Sequence, residues 1–251
     1  MIKQKDLIIK RFKRNLKFYE NEAITQKEMA FNLIKSLIEI KGKSFGKILE
    51  IGCGVGVLTK EIVKNLSFKE FFANDIVLEC NQYIKKISDK IIFIGGDIEE
   101  ITIPSGLDLI ISNATFQWLN YPEEFFKRIY PSLKEKGILC FSTFGRKNFL
   151  ELQTLSCPSL EYYDNEEIRR MSYPYFRLKY FEEETKRLYF SSVMDVLNHI
   201  KRTGVNGIVN FRWNTSSLDR FKKEYEKNFR TKKGITLTYN PVYYYFERLQ
   251  E

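Results

Sequence analysis

Residues 48–62 read "ILEIGCGVGVLTKEI", three glycines at alternate positions between an apolar run and a helical pattern. A strand that breaks into glycine and turns at once into a helix makes room for a ligand, because residues without Cβ let other atoms approach the backbone. A dinucleotide, a bare phosphate and a molecule with no phosphate are the three candidates. The dinucleotide fingerprint is G-x-G-x-x-G opening a helix. Here the run is Gly52-Cys53-Gly54-Val55-Gly56-Val57, so the third glycine comes one residue early and Val57 stands in its place. A P-loop needs Gly-Lys-Ser/Thr after its spacing, and this stretch has none.

Outward from the turn, short apolar strands alternate with helical patterns. "KILEI" precedes it as a buried strand, and Val57 to Leu66 follow as a helix with Leu58, Ile62 and Leu66 on one face. "EFFAND", "KIIFIGGD", "LDLIISN" and "GILCFSTF" read as further strands, with helices at "VLECNQYIKKI" and "YPEEFFKRIYPSL" between them. Thr25 to Ile40 form an amphipathic helix before the first strand, with Thr25 as its expected N-cap. That alternation implies a parallel sheet covered on both faces. It ends near Phe144. Beyond lie an irregular aromatic section, helices at Ser191–Arg202 and Ser216–Asn228, and "GITLTYNPVYYYFER", which reads as one closing strand.

The 251 residues suffice for one sizeable core, and no low-complexity linker divides them. No apolar run approaches the ~20 residues that span a bilayer, and "MIKQKDLIIKRFKRNLKFYENEAITQ" lacks the apolar segment of a signal peptide. A cytoplasmic protein that does not engage membranes is expected. Cys53, Cys80, Cys140 and Cys157 are scattered and His199 is the one histidine, so reduced structural thiols are expected and no metal site. The net charge of +9 favours acidic partners, with cations crowded at Lys3–Lys17 and Arg220–Lys233.

Glu50, Gly52, Gly54 and Gly56 form an E-x-G-x-G-x-G run that resembles the first motif of the class I methyltransferases, which use S-adenosylmethionine. The resemblance implies a Rossmann-like α/β three-layer sandwich with a mostly parallel seven-stranded sheet. Within one domain, 1–251, it implies a helical N-terminal segment (1–45), a cofactor-binding core (46–145), a cap insertion after the fifth strand (146–232) and a closing strand (233–251). It sets the glycine turn beside the methionine and ribose portion of the cofactor. Asp75, 23 residues after Gly52, stands at the second strand's end to accept the ribose hydroxyls, with Ile76 beside it. Asp97 and Ile98 stand beside the adenine, and Asn113 after the fourth strand. Enzymes that methylate amino nitrogens carry Asn/Asp-Pro-Pro-Tyr/Phe there; this chain has Ser112-Asn113-Ala114-Thr115.

"SNATFQWL" looks like the corresponding run of the malonyl-acyl-carrier-protein O-methyltransferases. "RFKRNLKFYENEAITQ" is similar to that family's N-terminal signature, through Tyr19 and Gln26, both implied to bind cofactor. "SLKEKGILCFSTFG", "NFLELQ", "SSVMDVLNHIKRTGVN" and "GITLTYNPVYYYF" resemble its later segments, with Val205 where alanine is usual. The implied reaction moves a methyl from S-adenosylmethionine to the free carboxylate of a malonyl thioester on acyl carrier protein, for biotin synthesis, and leaves S-adenosylhomocysteine. A carboxylic acid with pKa near ~4 is already ionised at neutral pH, so no general base is needed.

Positioning falls to Tyr19, Asn113, Gln117 and Trp118, and substrate contact to Tyr19, Phe116, Trp118, Lys201 and Arg202. On the late helix Val193, Val196, Leu197 and Ile200 make an apolar stripe; Lys201 borders it, Arg202 lies opposite, and His199 falls off it towards solvent. Lys201 is thus expected to reach the pocket and Arg202 solvent or a partner. Arg220, Lys222, Lys223 or the N-terminal lysines are expected to dock the carrier, with the enzyme a monomer and no nucleic acid involved. Two alternatives stay open: another small-molecule or quinone-type methyltransferase of this class, and a basic RNA-binding or RNA-modifying protein.

Overall fold

A computed structural model describes residues 5–157, 160, 162–203 and 214–250. Among them come first two helices, α1 (Lys5–Glu22) and α2 (Ile24–Lys41). The alternating section follows as β1 (Ser44–Ile51), α3 (Val57–Asn65), β2 (Ser67–Asp75), α4 (Asn81–Ile87), β3 (Ile92–Gly95), β4 (Leu107–Asn113), α5 (Pro122–Ile129) and β5 (Leu133–Phe144). Then come α6 (Leu150–Thr154), α7 (Asn165–Ser172), β6 (Phe176–Glu183), β7 (Lys186–Phe190), α8 (Val193–Arg202), α9 (Thr215–Phe229), β8 (Arg230–Thr231), β9 (Gly234–Tyr239) and β10 (Pro241–Arg248).

Seven strands form the main sheet in the order β3-β2-β1-β4-β5-β10-β6. Neighbours from β3 to β5 pair in parallel, and β10 runs antiparallel to both β5 and β6. β1 and β4 lie at the centre because both faces of each are apolar: Ile48, Leu49, Leu109, Ile110 and Ile111 are wholly buried. The order reverses between these two strands, which opens a crevice at their carboxyl ends. Their register pairs Ile51 with Ser112, so Gly52 and Asn113 leave the sheet side by side. Among the described residues no helix is long and apolar enough to cross a membrane. Cys53, Cys80 and Cys140 are buried and free, Cys157 half-buried and free.

Three expectations change. The closing segment is two strands in two sheets: β9 pairs with β7 and β8, and β10 joins the main sheet. The break is Asn240, whose buried amide donates to Glu183 Oε1 (3.1 Å) and the Glu184 carbonyl (2.7 Å) and accepts from the Lys147 N–H (3.0 Å). β-propensity shows a strand's presence but not the sheet that takes it. Next, residues 146–232 are not all cap, since β6 completes the sheet edge. Finally, Thr25 does not cap α2. Ala23 alone separates α1 from α2 and bonds both ways, to the Tyr19 carbonyl and from the Lys27 N–H, at 2.9 Å each. The helix therefore begins at Ile24, with Thr25 buried in its first turn.

Candidate active site

The crevice is a cleft of about 1100 Å³, open solvent at its mouth included. Its floor is the glycine turn. Gly52 and Cys53 donate their backbone N–H groups to the Asn74 carbonyl at 2.8 and 2.9 Å, folding the turn against the end of β2. The Asn74 amide donates to the Ile94 and Gly96 carbonyls at 2.9 Å each, so β2, β3 and the turn form one unit. Gly52 has φ +71°, and a Cβ there would lie 2.1 Å from Thr115 Oγ1; the loop after β4 demands this glycine. Gly54 lines the cleft, but Gly56 does not. With φ +86°, Gly56 opens α3, and its missing Cβ leaves room for Ile87 of α4 instead of a ligand.

Glu50, Asp75 and Asp97 bring three carboxyl groups to the wall. Asp75 accepts the Gly54 and Val77 N–H groups at 2.8 Å each; burial raises its pKa despite both bonds. It also accepts from the Cys80 thiol, and a carboxylate's four acceptor sites leave room for a hydroxyl donor beside these three. Burial pushes Glu50 up to about 8, against a 2.7 Å bond from the Thr59 hydroxyl. Ile76 and Ile98 supply apolar wall beside Asp75 and Asp97. The one side-chain cation on the wall among the described residues is Lys5, already paired with Asp97 and Glu99.

Gln26 is the wall's unsatisfied member. Its side chain is 1% exposed, and neither Nε2 nor Oε1 has a partner among the described residues. A buried amide left so costs about 1–3 kcal/mol, which a ligand with donor and acceptor groups recovers. Among the described residues the wall offers a pyrophosphate no unengaged cation, while its carboxyl groups suit a cationic ligand. The residues present therefore fit S-adenosylmethionine: an acid at the strand end for ribose, an orphan amide for its amino-acid portion, and carboxyls around a sulfonium.

α1 covers this cleft. Lys5, Ile8, Phe12 and Tyr19 face it from successive turns, and Phe12 meets Tyr19 edge-on with ring centres 5.1 Å apart. Burial and the Asp75 charge raise the Tyr19 pKa, so its hydroxyl stays protonated. Leu16 is the one buried residue of the helix. Ion pairs tie its length down: Lys5 to Asp97 and Glu99, Lys13 to Glu79, Glu20 to Lys60, Glu22 to Arg202. Lys5, Ile8 and Phe12 escape the sequence reading. The Ile8-Phe12-Leu16-Tyr19 spacing was the available signal.

After β4, Asn113, Ala114, Thr115 and Trp118 line the cleft. The Asn113 amide donates to the Gln26 carbonyl (3.0 Å) and accepts from the Ser142 hydroxyl (2.6 Å), binding α2, β4 and β5 together. Phe116 and Gln117 do not reach the cleft. Phe116 stacks on Phe141 at 4.3 Å, in an aromatic core under the other face of the sheet. Gln117 donates to the Ala114 carbonyl (2.6 Å) and accepts from the Thr143 hydroxyl (3.0 Å); that brace holds Ala114 at φ +53°.

α8 also departs from expectation. Val193, Val196, His199 and Ile200 are its buried residues, so its buried face is turned towards His199. At ~100° per residue that leaves Lys201 and Arg202 each roughly 130° from the face's centre. Both are exposed, and neither lines the cleft. Arg202 pairs with Glu22 at 2.8 Å. His199 is not at the surface: Nε2 lies 2.9 Å from the Tyr239 hydroxyl, Nδ1 3.6 Å from Glu22, and burial lowers its pKa. α8 packs on two sides, and the apolar stripe reports only one. Thr203, at its C-terminal cap, lines the cleft. Val205 lies outside the described residues.

Arg220, Lys222 and Lys223 stand on α9 among Asp219, Glu224 and Glu226, with Lys222 3.7 Å from Asp219. Among the described residues no group of three or more His, Cys, Asp or Glu side chains could hold a metal ion.

The family model described as a methyltransferase domain matches residues 49–141. Among curated proteins, the malonyl-[acyl-carrier protein] O-methyltransferase of Calditerrivibrio nitroreducens is 37% identical over 234 residues, 93% of each chain. That of Chlorobium phaeovibrioides is 36% identical over 249 residues, 96% of each. Among solved structures, the YcgJ protein of Bacillus subtilis superposes with a TM-score of 0.63 at 13% identity, over 89% of this chain and 99% of that one. The N-methyltransferase NodS of Bradyrhizobium japonicum, solved with S-adenosyl-L-homocysteine, superposes at 0.53 and 12% identity, over 89% and 87%. These two likenesses bear on the fold.

Proposed function

The chain belongs to the malonyl-[acyl-carrier protein] O-methyltransferase family, and from that premise we propose that it methylates the free carboxylate of a malonyl thioester borne by acyl carrier protein. The products are the malonyl methyl ester and S-adenosylhomocysteine. One observation carries the choice of substrate. A methyltransferase-domain match over 49–141 suits many reactions, whereas the relatives match over 93% and 96% of the chain, well beyond that segment.

When bound, S-adenosylmethionine supplies an electrophilic methyl on a sulfonium. Gln26 would hold its amino-acid portion, Asp75 its ribose, and Asp97 with Ile98 its adenine. Glu50 adds a carboxyl beside the glycine turn. The substrate carboxylate arrives ionised, so the chain need not remove a proton; His199 lies away from the cleft, tied to Tyr239. What remains is alignment and the exclusion of water. Tyr19 and Phe12 cover the cleft, Trp118 walls it, and Gln117 and Asn113 fix the Ala114 turn between them from behind.

The test is transfer of labelled methyl to malonyl-carrier, acetyl-carrier, a quinone and RNA under identical conditions. Label on the malonyl carrier alone is the expected result. Label on the quinone or RNA, with none on the malonyl carrier, would overturn the assignment.

A further inference from the structure

α1 has a second face, which the fold engages among the described residues through one ion pair, Lys13 with Glu79. Residues 10–17 hold Lys10, Arg11, Lys13, Arg14 and Lys17 and no carboxylate. Lys10, Lys13, Arg14 and Lys17 are exposed, and Phe18 beside them is 53% exposed. Their spacings of three and four residues bring like charges together along one side, an arrangement that weakens a helix. Of these four cations only Lys13 has an ion pair among the described residues, with Glu79. α9 carries four cations, Arg220, Lys222, Lys223 and Lys227, but interleaves three carboxylates and uses two in ion pairs, Asp219 with Lys222 and Glu226 with Arg230. A single-sign surface therefore exists on α1 and not on α9.

We propose that the outer face of α1, through Lys10, Arg14, Lys17 and Phe18, is where the acidic acyl carrier protein docks. The proposal rests on the substrate assignment above and adds the surface. Charge complementarity supports it, because cations held against one another gain by meeting a partner's carboxylates. Phe18 offers the apolar contact that a purely ionic patch lacks. Position supports it too: the opposite face of this helix lines the cleft, so a docked carrier sits about one helix diameter, roughly 10 Å, from the chamber its cargo must enter. Docking there also bears on the element that covers the cofactor site.

The experiment compares wild type with the triple variant Lys10→Glu, Arg14→Glu, Lys17→Glu and with Arg220→Glu, Lys223→Glu on α9. Each is assayed for methyl transfer to malonyl-carrier at several salt concentrations, and for S-adenosylhomocysteine affinity as the control for folding. The α1 variant should show a KM for malonyl-carrier at least tenfold higher, a flattened salt dependence and unchanged S-adenosylhomocysteine affinity. The α9 variant should match wild type. A KM within twofold of wild type in the α1 variant, or an equal rise in the α9 variant, overturns the docking face alone. A single-stranded RNA probe that binds this stripe more tightly than the carrier does would overturn it as well. Wild-type enzyme that binds S-adenosylhomocysteine yet never labels malonyl-carrier contradicts the substrate assignment, and docking falls with it.

Discussion

The side chain of Gln26 is buried in the wall of a cleft with its donor and acceptor both unmet among the described residues, a cost to the empty protein that a ligand can remove. Gln26→Leu keeps the volume and deletes the amide. Its melting temperature should equal or exceed wild type, while S-adenosylhomocysteine binds about tenfold more weakly, ~1.4 kcal/mol, by calorimetry. Unchanged affinity would remove Gln26 from the cofactor site. Glu50 makes a pH prediction. With its pKa pushed up to about 8, it holds its proton at neutral pH in the empty cleft, and a bound cation favours the carboxylate. S-adenosylmethionine binding should therefore release a proton below about pH 8, and affinity should climb as pH rises towards 8, then level off. Glu50→Gln should abolish both, as measured by calorimetry in buffers of different ionisation enthalpy. The sign for stability is opposite. The native state keeps a proton that the unfolded chain loses at about 4.5, so the ligand-free stability from this group is full below 4.5 and is lost as pH rises to about 8. The places of Asp75, Asp97, Gly52 and Gly54 on the cleft wall were legible at this scale because strand ends and motif spacing locate them, whereas Gly56 serves the packing of α3 on Ile87. Lys201 was not, because its direction depends on what α8 packs against on its second side.

One short turn carries two elements of contrasting purpose. Phe116 and Trp118 are two residues apart, the first stacked in the core and the second on the cleft wall. Phe116→Ala should cost about 3–5 kcal/mol in chemical denaturation, through lost burial and the cavity left behind. Trp118→Ala should leave the melting temperature within a few degrees and lower methyl transfer at least tenfold. Equal effects on stability would mean that the turn has no functional side. A three-residue helical turn is too short for hydrophobic periodicity to separate its faces, which is why the sequence alone placed both aromatics at the substrate. α1 shows the same limit differently. It buries Leu16 alone and is tied mostly by partly exposed ion pairs, each worth about 0–1 kcal/mol. Its backbone amides should exchange hydrogen faster than those of α2, whose first turn through Leu37 holds seven buried residues, and should slow on S-adenosylhomocysteine binding. Equal exchange in the free protein would contradict a weakly held cover.

At the scale of the molecule, the sheet was readable because its central strands are apolar on both faces and alternate with amphipathic helices, a pattern that leaves a parallel doubly covered sheet as the economical solution. The edge was not readable. β6 and the change of sheet at Asn240 are decided by pairing partners far away in sequence, which propensity does not see. The +9 charge was likewise visible as a sum while its arrangement was not: the fold balances α9 internally and leaves one side of α1 unbalanced. These parts meet in one assembly. The reversal of strand order opens the crevice, the glycine turn floors it, and α1 closes it over a wall with more carboxyl groups than cations. The central claim is that this chamber holds a sulfonium methyl donor, and titration calorimetry on nucleoside-free protein tests it most directly. Saturable one-to-one binding of S-adenosylmethionine and S-adenosylhomocysteine, with no heat from NAD, is the result predicted. Binding of NAD, or no saturation with either sulfur ligand, would contradict it.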